Sequence, residues 1–349
     1  MKRLNLWLAS STILFISACT SNPTAPQQKA NNNNNQATYS VRAETNLAQR
    51  SDVANFIEKT HNATGIDKQW LTDTMNKASI KPTIVDAMNR PAEKMNWGRY
   101  RPIFMTENRI KGGVDFYHQH QAALQRAEAE YGVSAAVITA IIGVETSYGA
   151  NRGNWAVVDA LSTLSFEYPR RADFFSNELQ KFLVIAYNMN RDPFSFKGSY
   201  AGAMGYPQFM PSSYTAYAVD FDGDGIKDLW NNPVDAIGSV ANYLAKHGWK
   251  RNGELIAQVN VTNVSAASPY FQRGPVRPPK TNLATLKQLG VQTSIKTTNP
   301  VTLMQFEVSP GNNEYWIGFY NFYVITRYNH SNMYALAVSQ LANAINERK

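Results

Sequence analysis

Glu145 closes a run, Ser134-Ala135-Ala136-Val137-Ile138-Thr139-Ala140-Ile141-Ile142-Gly143-Val144, that is apolar on almost every side. Apolarity all round marks a helix inside the core rather than one lying on it. A carboxyl at the end of such a helix is desolvated, which penalises its charged form and lifts its pKa from about 4.3 toward about 6. It can then give up a proton near neutral pH. Breaking a glycosidic bond needs such a donor for the leaving oxygen, and hydrolysis normally needs a second carboxylate to hold a water or attack the sugar. Asp159, Glu167, Asp173 and Glu178 follow in a segment that reads as helix and turn, and none is a convincing partner. The alternative for Glu145 is a buried glutamate paired to an arginine.

A second cluster of chemistry-bearing residues is Asp220-Phe221-Asp222-Gly223-Asp224-Gly225-Ile226-Lys227-Asp228. Carboxylates at alternate positions with glycine at the sixth give the spacing by which an EF-hand loop wraps a hard cation, with Ile226 offering its backbone carbonyl. Asn231 stands where that loop usually ends in glutamate, and Asp228 is either a ligand or a surface charge. The pattern favours a structural calcium ion over a solvated acidic turn. Its expected role is rigidity, with no cofactor required for catalysis.

Several longer stretches accompany these residues. In chain order they are Ile141-Ile142-Gly143-Val144-Glu145-Thr146, Leu164-Ser165-Phe166 with Tyr168-Pro169-Arg170-Arg171, Ser199-Tyr200-Ala201-Gly202-Ala203-Met204-Gly205, Gln208-Phe209-Met210-Pro211-Ser212-Ser213-Tyr214, Asp235-Ala236-Ile237-Gly238-Ser239-Val240-Ala241-Asn242-Tyr243, and Ile325-Thr326-Arg327-Tyr328-Asn329-His330-Ser331. Together they resemble the lysozyme-like lytic transglycosylases, in particular the membrane-bound lytic murein transglycosylase B family, over most of residues 100–335. The resemblance implies that Glu145 protonates the bond between N-acetylmuramic acid and N-acetylglucosamine. It then takes the proton of the muramic C6 hydroxyl, so the product ends in a 1,6-anhydro ring. It also implies that Ser199 holds the muramic acetamide and that Gln208, Tyr243, Tyr328, Asn329 and Tyr334 line the cleft, with Tyr100 a weaker match. Asp235 matches the late carboxylate ligand of the metal loop. Tyrosine rings suit the C–H face of a pyranose, although core packing explains a tyrosine equally well. Arg170 and Arg171 either pair with stem-peptide carboxylates or stand exposed in a first helical turn begun by Pro169.

These residues need a scaffold, and the chain of 349 residues, 44% hydrophobic, has the material for one. Helical spacing begins near Asn46, in segments such as Val53-Ala54-Phe56-Ile57 and Val114-Phe116-Tyr117. The expected class is mainly α: a lysozyme-like core with an additional helical lobe and a small inserted β lobe, as the resemblance also implies. Residues 46–99 read as the helical lobe and 100–251 as the catalytic core with its acidic loop. Residues 252–310, Val-, Thr- and Pro-rich and including Ala257-Gln258-Val259-Asn260-Val261-Thr262, read as the β insertion. Residues 311–349 read as a return to the core and helical lobe, with apolar helical character from Tyr315 through Met333 to Ile345. No internal repeat is apparent.

The N-terminus adds an address. Lys2 and Arg3, an apolar stretch from Leu4 to Ile16, and Ser17-Ala18 before Cys19 read as an export signal over residues 1–18. Cys19 is the only cysteine, so no intramolecular disulfide can form. Ile16-Ser17-Ala18-Cys19 resembles a lipoprotein cleavage box, which makes Cys19 the lipidation site and residues 19–45, with Asn31 through Asn35, a polar tether. Thr20 in place of aspartate implies sorting to the periplasmic face of the outer membrane. Removing residues 1–18 takes away Lys2 and Arg3 and lowers the net charge from +8 to +6. No basic cluster stands out, so nucleic acid is not an expected partner. The expected partners are peptidoglycan glycan strands, the membrane through the lipid anchor, and unnamed cell-wall synthesis or turnover proteins. Two rival readings are a lysozyme-type hydrolase and a non-catalytic wall-binding lipoprotein.

Overall fold

The computed structural model describes residues 46–90 and 95–349. The export signal, Cys19 and the tether lie outside the described residues. Three helices open the body: α1 (Ser51–Thr64), α2 (Lys68–Lys77) and α3 (Pro82–Asn89). Gly65, in the left-handed region at φ 73°, ends the first, and the Asp67 carboxylate accepts the Trp70 N–H to start the second. Glycine carries no Cβ penalty at such a C-cap, and a capping carboxylate satisfies an orphan N–H. Their apolar faces rest on α8 (Val157–Glu167) and α9 (Ala172–Asn188).

The central helices are α4 (Trp97–Phe104), α5 (Glu107–Gln119), α6 (Gln121–Tyr131), α7 (Ala135–Thr146), α10 (Pro211–Tyr217), α11 (Pro233–Lys246), α14 (Tyr320–Tyr328) and α15 (Asn332–Asn346). α7 is the axis of this group, packed against α5, α6, α11 and α15. Every residue of α7 is buried except Glu145. That matches the all-round apolarity of its sequence, since a helix enclosed on all sides has no face left for polar residues. No single described helix is long and apolar enough to cross a membrane; α6 and α7 would do so only as a pair, and they are bent by 115°.

A pair of two-residue strands, β1 (Trp155–Ala156) and β2 (Lys197–Gly198), pins the ends of the α8–α9 excursion together. The second sheet is antiparallel in the order β4-β3-β6-β5, from β3 (Ile256–Val261), β4 (Val291–Gln292), β5 (Thr302–Ser309) and β6 (Asn312–Gly318). Short helices α12 (Val264–Ala267) and α13 (Leu283–Gln288) sit in its connections. The sheet is two-faced, as the period-2 alternation of a strand requires. Leu303 turns into a small private core with Val259, Leu286, Val301 and Ile317, while Met304 and Phe306 enter the main core, where Phe306 lies 5.7 Å from the Trp97 ring.

Two boundaries move. The sheet runs on through Asn312–Gly318, so helix resumes at Tyr320 and not at Tyr315. Tyr315, Trp316 and Ile317 read as helix because a short apolar run fits either element, and the β5–β6 register, with Thr302 opposite Gly318, settles it. Likewise α4 straddles the expected break between residues 99 and 100: Trp97, Tyr100 and Phe104 are one buried helical face, packed on β5 and α15.

Candidate active site

Glu145 stands on the last turn of α7, half-buried. The Tyr334 hydroxyl, from the first turn of α15, donates a 2.6 Å hydrogen bond to Glu145 Oε1. Burial pushes the Glu145 carboxyl up to about 7, and the Tyr334 hydrogen bond pulls in the opposite direction. Among the described residues no other group contributes to that shift, and no arginine pairs with Glu145. Buried Tyr100 and Tyr334 and half-buried Tyr328 all have hydroxyls raised above their ordinary range, by desolvation first and by the Glu145 charge second. The site therefore holds one titratable carboxyl in a nest of neutral phenols.

Tyr334, Tyr328 and Tyr243 form a ladder of rings leading away from Glu145. The first two are stacked at 6.5 Å and 10°, and the second two lie 4.8 Å apart. Their hydroxyls are committed to the scaffold. Tyr328 donates to Pro207 O at 2.6 Å, fixing the loop that carries Gln208, and Tyr243 donates to Arg327 O at 2.6 Å. Asn329 ends α14 and is half-buried beside them, its carbonyl accepting from Ser331 N.

Ser199 and Gln208 sit on the loop after β2, held by a small bridge network in which Met204 pairs with both Gly198 and Phe209. Ser199 Oγ accepts the N–H groups of Ala203 at 3.0 Å and Ala201 at 3.3 Å, which leaves its own proton to give. Gln208 is held at φ 50°, and its amide Nε2 donates to Gly205 O and Arg152 O. A flipped amide would set oxygen against oxygen, so Oε1 is the free acceptor. Close packing needs Gly153 here, since a Cβ would fall 2.0 Å from Gly198 O.

The acidic loop draws together Asp220, Asp222 and Asp235, with carboxylate oxygens all within 4.8 Å of one another. Asp235 is fully buried on the first turn of α11 and receives the N–H groups of Phe221 and Asp228 at 2.7 and 2.8 Å. Asp224 lies outside that tight group; its Oδ1 accepts Ile226 N, and the Ile226 side chain is exposed. Asp228 pairs with Arg191 at 3.6 Å. Among the described residues no ion pair reaches the three clustered carboxylates; Asp220 accepts the N–H groups of Gly223, Asp224 and Gly225, and Asp222 accepts Asp224 N and Asn232 Nδ2, and an all-oxygen donor set suits a hard cation.

The other carboxylates have scaffold roles. Asp159 accepts Ser79 N and faces Lys81, Glu167 pairs with Arg50, and buried Glu178 accepts Ser212 N at 2.8 Å. Arg170 and Arg171 fall on the turn between α8 and α9; Arg170 is exposed, and Arg171 lies over Phe174 at 4.1 Å. Arg171 also lies over Phe175 at 5.3 Å, so its ring contacts are with the first turn of α9.

Sequence reasoning passed over Thr146, Tyr148 and Arg109. Thr146 Oγ1 bonds Tyr206 O at 3.0 Å and accepts Gly149 N, tying the end of α7 to the Gln208 loop. The Arg109 guanidinium donates to Gly143 O, and the Tyr148 hydroxyl donates to Arg109 O at 2.8 Å. The available signal was Gly143, a helix-breaking residue inside an otherwise strong helix.

Comparison with known proteins identifies the family of this fold. Residues 48–343 match the family described as the transglycosylase SLT domain. The chain is 39% identical, over 351 residues and 95% of both chains, to membrane-bound lytic murein transglycosylase B of Escherichia coli (strain K12). It superposes with a TM-score of 0.79 on the Escherichia coli lytic transglycosylase Slt35 in complex with calcium, 41% identical, covering 86% of this chain and 94% of that one. It also superposes, with a TM-score of 0.76 and 30% identity, on SltB3 from Pseudomonas aeruginosa in complex with NAG-anhNAM-pentapeptide, covering 84% of this chain and 78% of that one. With its half-buried Glu145 carboxyl at the end of a buried helix, the chain belongs to the transglycosylase SLT domain family.

Proposed function

We propose that the chain cleaves the β-1,4 bond between N-acetylmuramic acid and N-acetylglucosamine in peptidoglycan, as a lytic transglycosylase with Glu145 as its acid and base in turn. One observation carries this: Glu145 is the single half-buried residue of an otherwise buried helix, is raised to about 7, and has only Tyr334 as its polar partner among the described residues. As an acid it protonates the leaving oxygen while the muramic C1–O bond breaks. The resulting carboxylate takes the C6 hydroxyl proton as O6 closes onto C1, so the nucleophile comes from the substrate and no activated water is needed. Ser199 gives its proton to the muramic acetamide carbonyl, and Gln208 Oε1 accepts from the neighbouring sugar. Tyr328 and Asn329 line the cleft wall, with Tyr243 and Tyr100 packing behind. Arg170 and Arg171 are the candidates for stem-peptide carboxylates, away from the reacting bond. The P. aeruginosa relative, bound to NAG-anhNAM-pentapeptide, supports both the anhydro product and peptide-bearing strands.

The reaction is tested by running the digestion in heavy-oxygen water. The expected product ends carry no label, whereas a hydrolase would place one labelled oxygen at each new reducing end.

The acidic loop is proposed to hold a structural calcium ion through Asp220, Asp222 and Asp235, with Asp224 and the Ile226 carbonyl completing the set; the calcium complex of the E. coli relative supports this. When bound, the ion would offset part of the charge of the clustered carboxylates and stiffen the link between Gln208 and α11. A chelator is expected to lower Tm by several degrees, and added calcium, at about 100 times its Kd, to restore roughly 2.7 kcal/mol. A melting curve indifferent to both would retire the ion. We further propose lipid anchoring through Cys19 at the periplasmic face of the outer membrane, in keeping with the membrane-bound E. coli relative; a Cys19→Ser chain released into the soluble fraction is the expected outcome.

A further inference from the structure

The two residues after Thr146 have an unusual backbone. Ser147 and Tyr148 both lie in the left-handed region, at φ 52° and 60°, and neither is glycine. Such a conformation costs free energy and persists only where its surroundings over-determine it. Here the surroundings are a slot for one ring. An ideal Cβ on Gly143 would lie 2.6 Å from Cε1, Cζ and the hydroxyl oxygen of Tyr148. One on Gly113 would lie 2.6 Å from the same hydroxyl, and one on Gly112 would lie 3.1 Å from the other ring edge. Three glycines on α5 and α7 therefore form the walls against which the Tyr148 ring rests.

Gly143 is the informative one. It sits two residues before Glu145 in a helix interior, where alanine would be better by about 1 kcal/mol. A residue that weakens its own helix at that point needs a steric reason, and the Tyr148 ring supplies it. The hydroxyl then completes the fastening by donating to Arg109 O at 2.8 Å, while the Arg109 side chain donates to Gly143 O. A closed loop of contacts runs from Gly143 to Tyr148 to Arg109 and back to Gly143. Glu145 lies between the first two along the chain.

We infer that Tyr148 is a positioning residue: its ring, seated in the slot of Gly112, Gly113 and Gly143 and fastened to Arg109, fixes the last turn of α7 so that Glu145 meets the Tyr334 hydroxyl. It touches no reacting atom. Its effect is transmitted through the aim of the Glu145 carboxyl, and to that extent the inference rests on the proposed role of Glu145. Small errors of aim are expensive, because a 1 Å displacement of a reacting group can cost about 10²-fold in rate.

The test is the coupling between Gly143 and Tyr148, read on purified peptidoglycan with the folded fraction checked by circular dichroism. Tyr148→Phe, which keeps the ring and loses one hydrogen bond, is expected to lower kcat about fivefold. Tyr148→Leu and Gly143→Ala are each expected to lower it about tenfold with KM changed less than about twofold. In the double variant the added methyl meets the shorter leucine, so the two losses do not multiply: kcat stays within about twofold of the Tyr148→Leu value. The descending limb of the pH profile should also move in Tyr148→Phe, because the Tyr334 contact acts on Glu145. Multiplying losses, or a Tyr148→Phe profile superimposable on the parent, would overturn the inference. Should the leucine variant not fold, the phenylalanine profile decides alone. Retained turnover in Glu145→Gln would instead defeat the acid/base assignment, whatever the Tyr148 variants do.

Discussion

Glu145→Gln is expected to lower turnover of peptidoglycan by at least about 10³-fold while strand binding survives, since the amide matches the carboxyl in shape and cannot donate the proton. The same variant should be more stable than the parent, in a pH-dependent way. The carboxyl is raised from its ordinary 4.5 to about 7 by burial. It holds its proton more tightly in the folded chain than in the unfolded one. Its contribution to stability is therefore full below pH 4.5 and is lost as pH rises through about 7. Glutamine carries no such loss, so the variant should gain up to about 3 kcal/mol above pH 7 and nothing near pH 4. Denaturant melts at the two pH values check this. An equal effect at both would mean that Glu145 is not held protonated by burial.

Tyr334→Phe is the second large effect expected. Its hydroxyl donates to Glu145 Oε1 at 2.6 Å, a bond that favours the charged form of the carboxyl. As Glu145 gives up its proton, negative charge builds on that group, and the hydrogen bond strengthens where charge develops. A hydrogen bond to a charged group contributes about 1.5–3 kcal/mol, so kcat should fall on the order of 10- to 100-fold. Loss of the donor also raises the Glu145 pKa. Since the acid form starts the reaction, activity falls as pH climbs past that pKa, and the variant's descending limb should move to higher pH. A slower enzyme with an unmoved limb would assign Tyr334 to packing, as its stacking on Tyr328 allows.

These two expectations meet at a residue that was legible in sequence. An apolar stretch without a polar face can only be a buried helix, so a carboxyl at its end had to be desolvated, and α7 has that form. The clustering of the acidic loop was legible in part, because alternate carboxylates with glycines describe a turn that gathers its carboxylates. What spacing could not supply was the third carboxylate of the cluster. Asp235 comes to the loop from α11, and only the family resemblance pointed to it; the geometry then sets Asp220, Asp222 and Asp235 together and leaves Asp224 aside.

The tyrosines were legible as a set and not as individuals. Ring types suit sugars and cores alike, and only coordinates separate Tyr334, aimed at Glu145, from Tyr328 and Tyr243, whose hydroxyls fasten backbone carbonyls. Strand β6 escaped because Tyr315-Trp316-Ile317 is too short an apolar run to carry a period, and its partner β5 decides its form. Tyr148 escaped for a deeper reason. Its role depends on three glycines spread over two helices, and of these only Gly143, inside an otherwise strong helix, stands out in the sequence.

The central claim is tested most directly by mass spectrometry of the soluble fragments released from purified peptidoglycan by the chain lacking residues 1–19. The account predicts muramic ends lighter than a reducing end by one water, the 1,6-anhydro form, and their disappearance in Glu145→Gln. Hydrated reducing ends in the parent digest, or anhydro ends persisting in that variant, would contradict it.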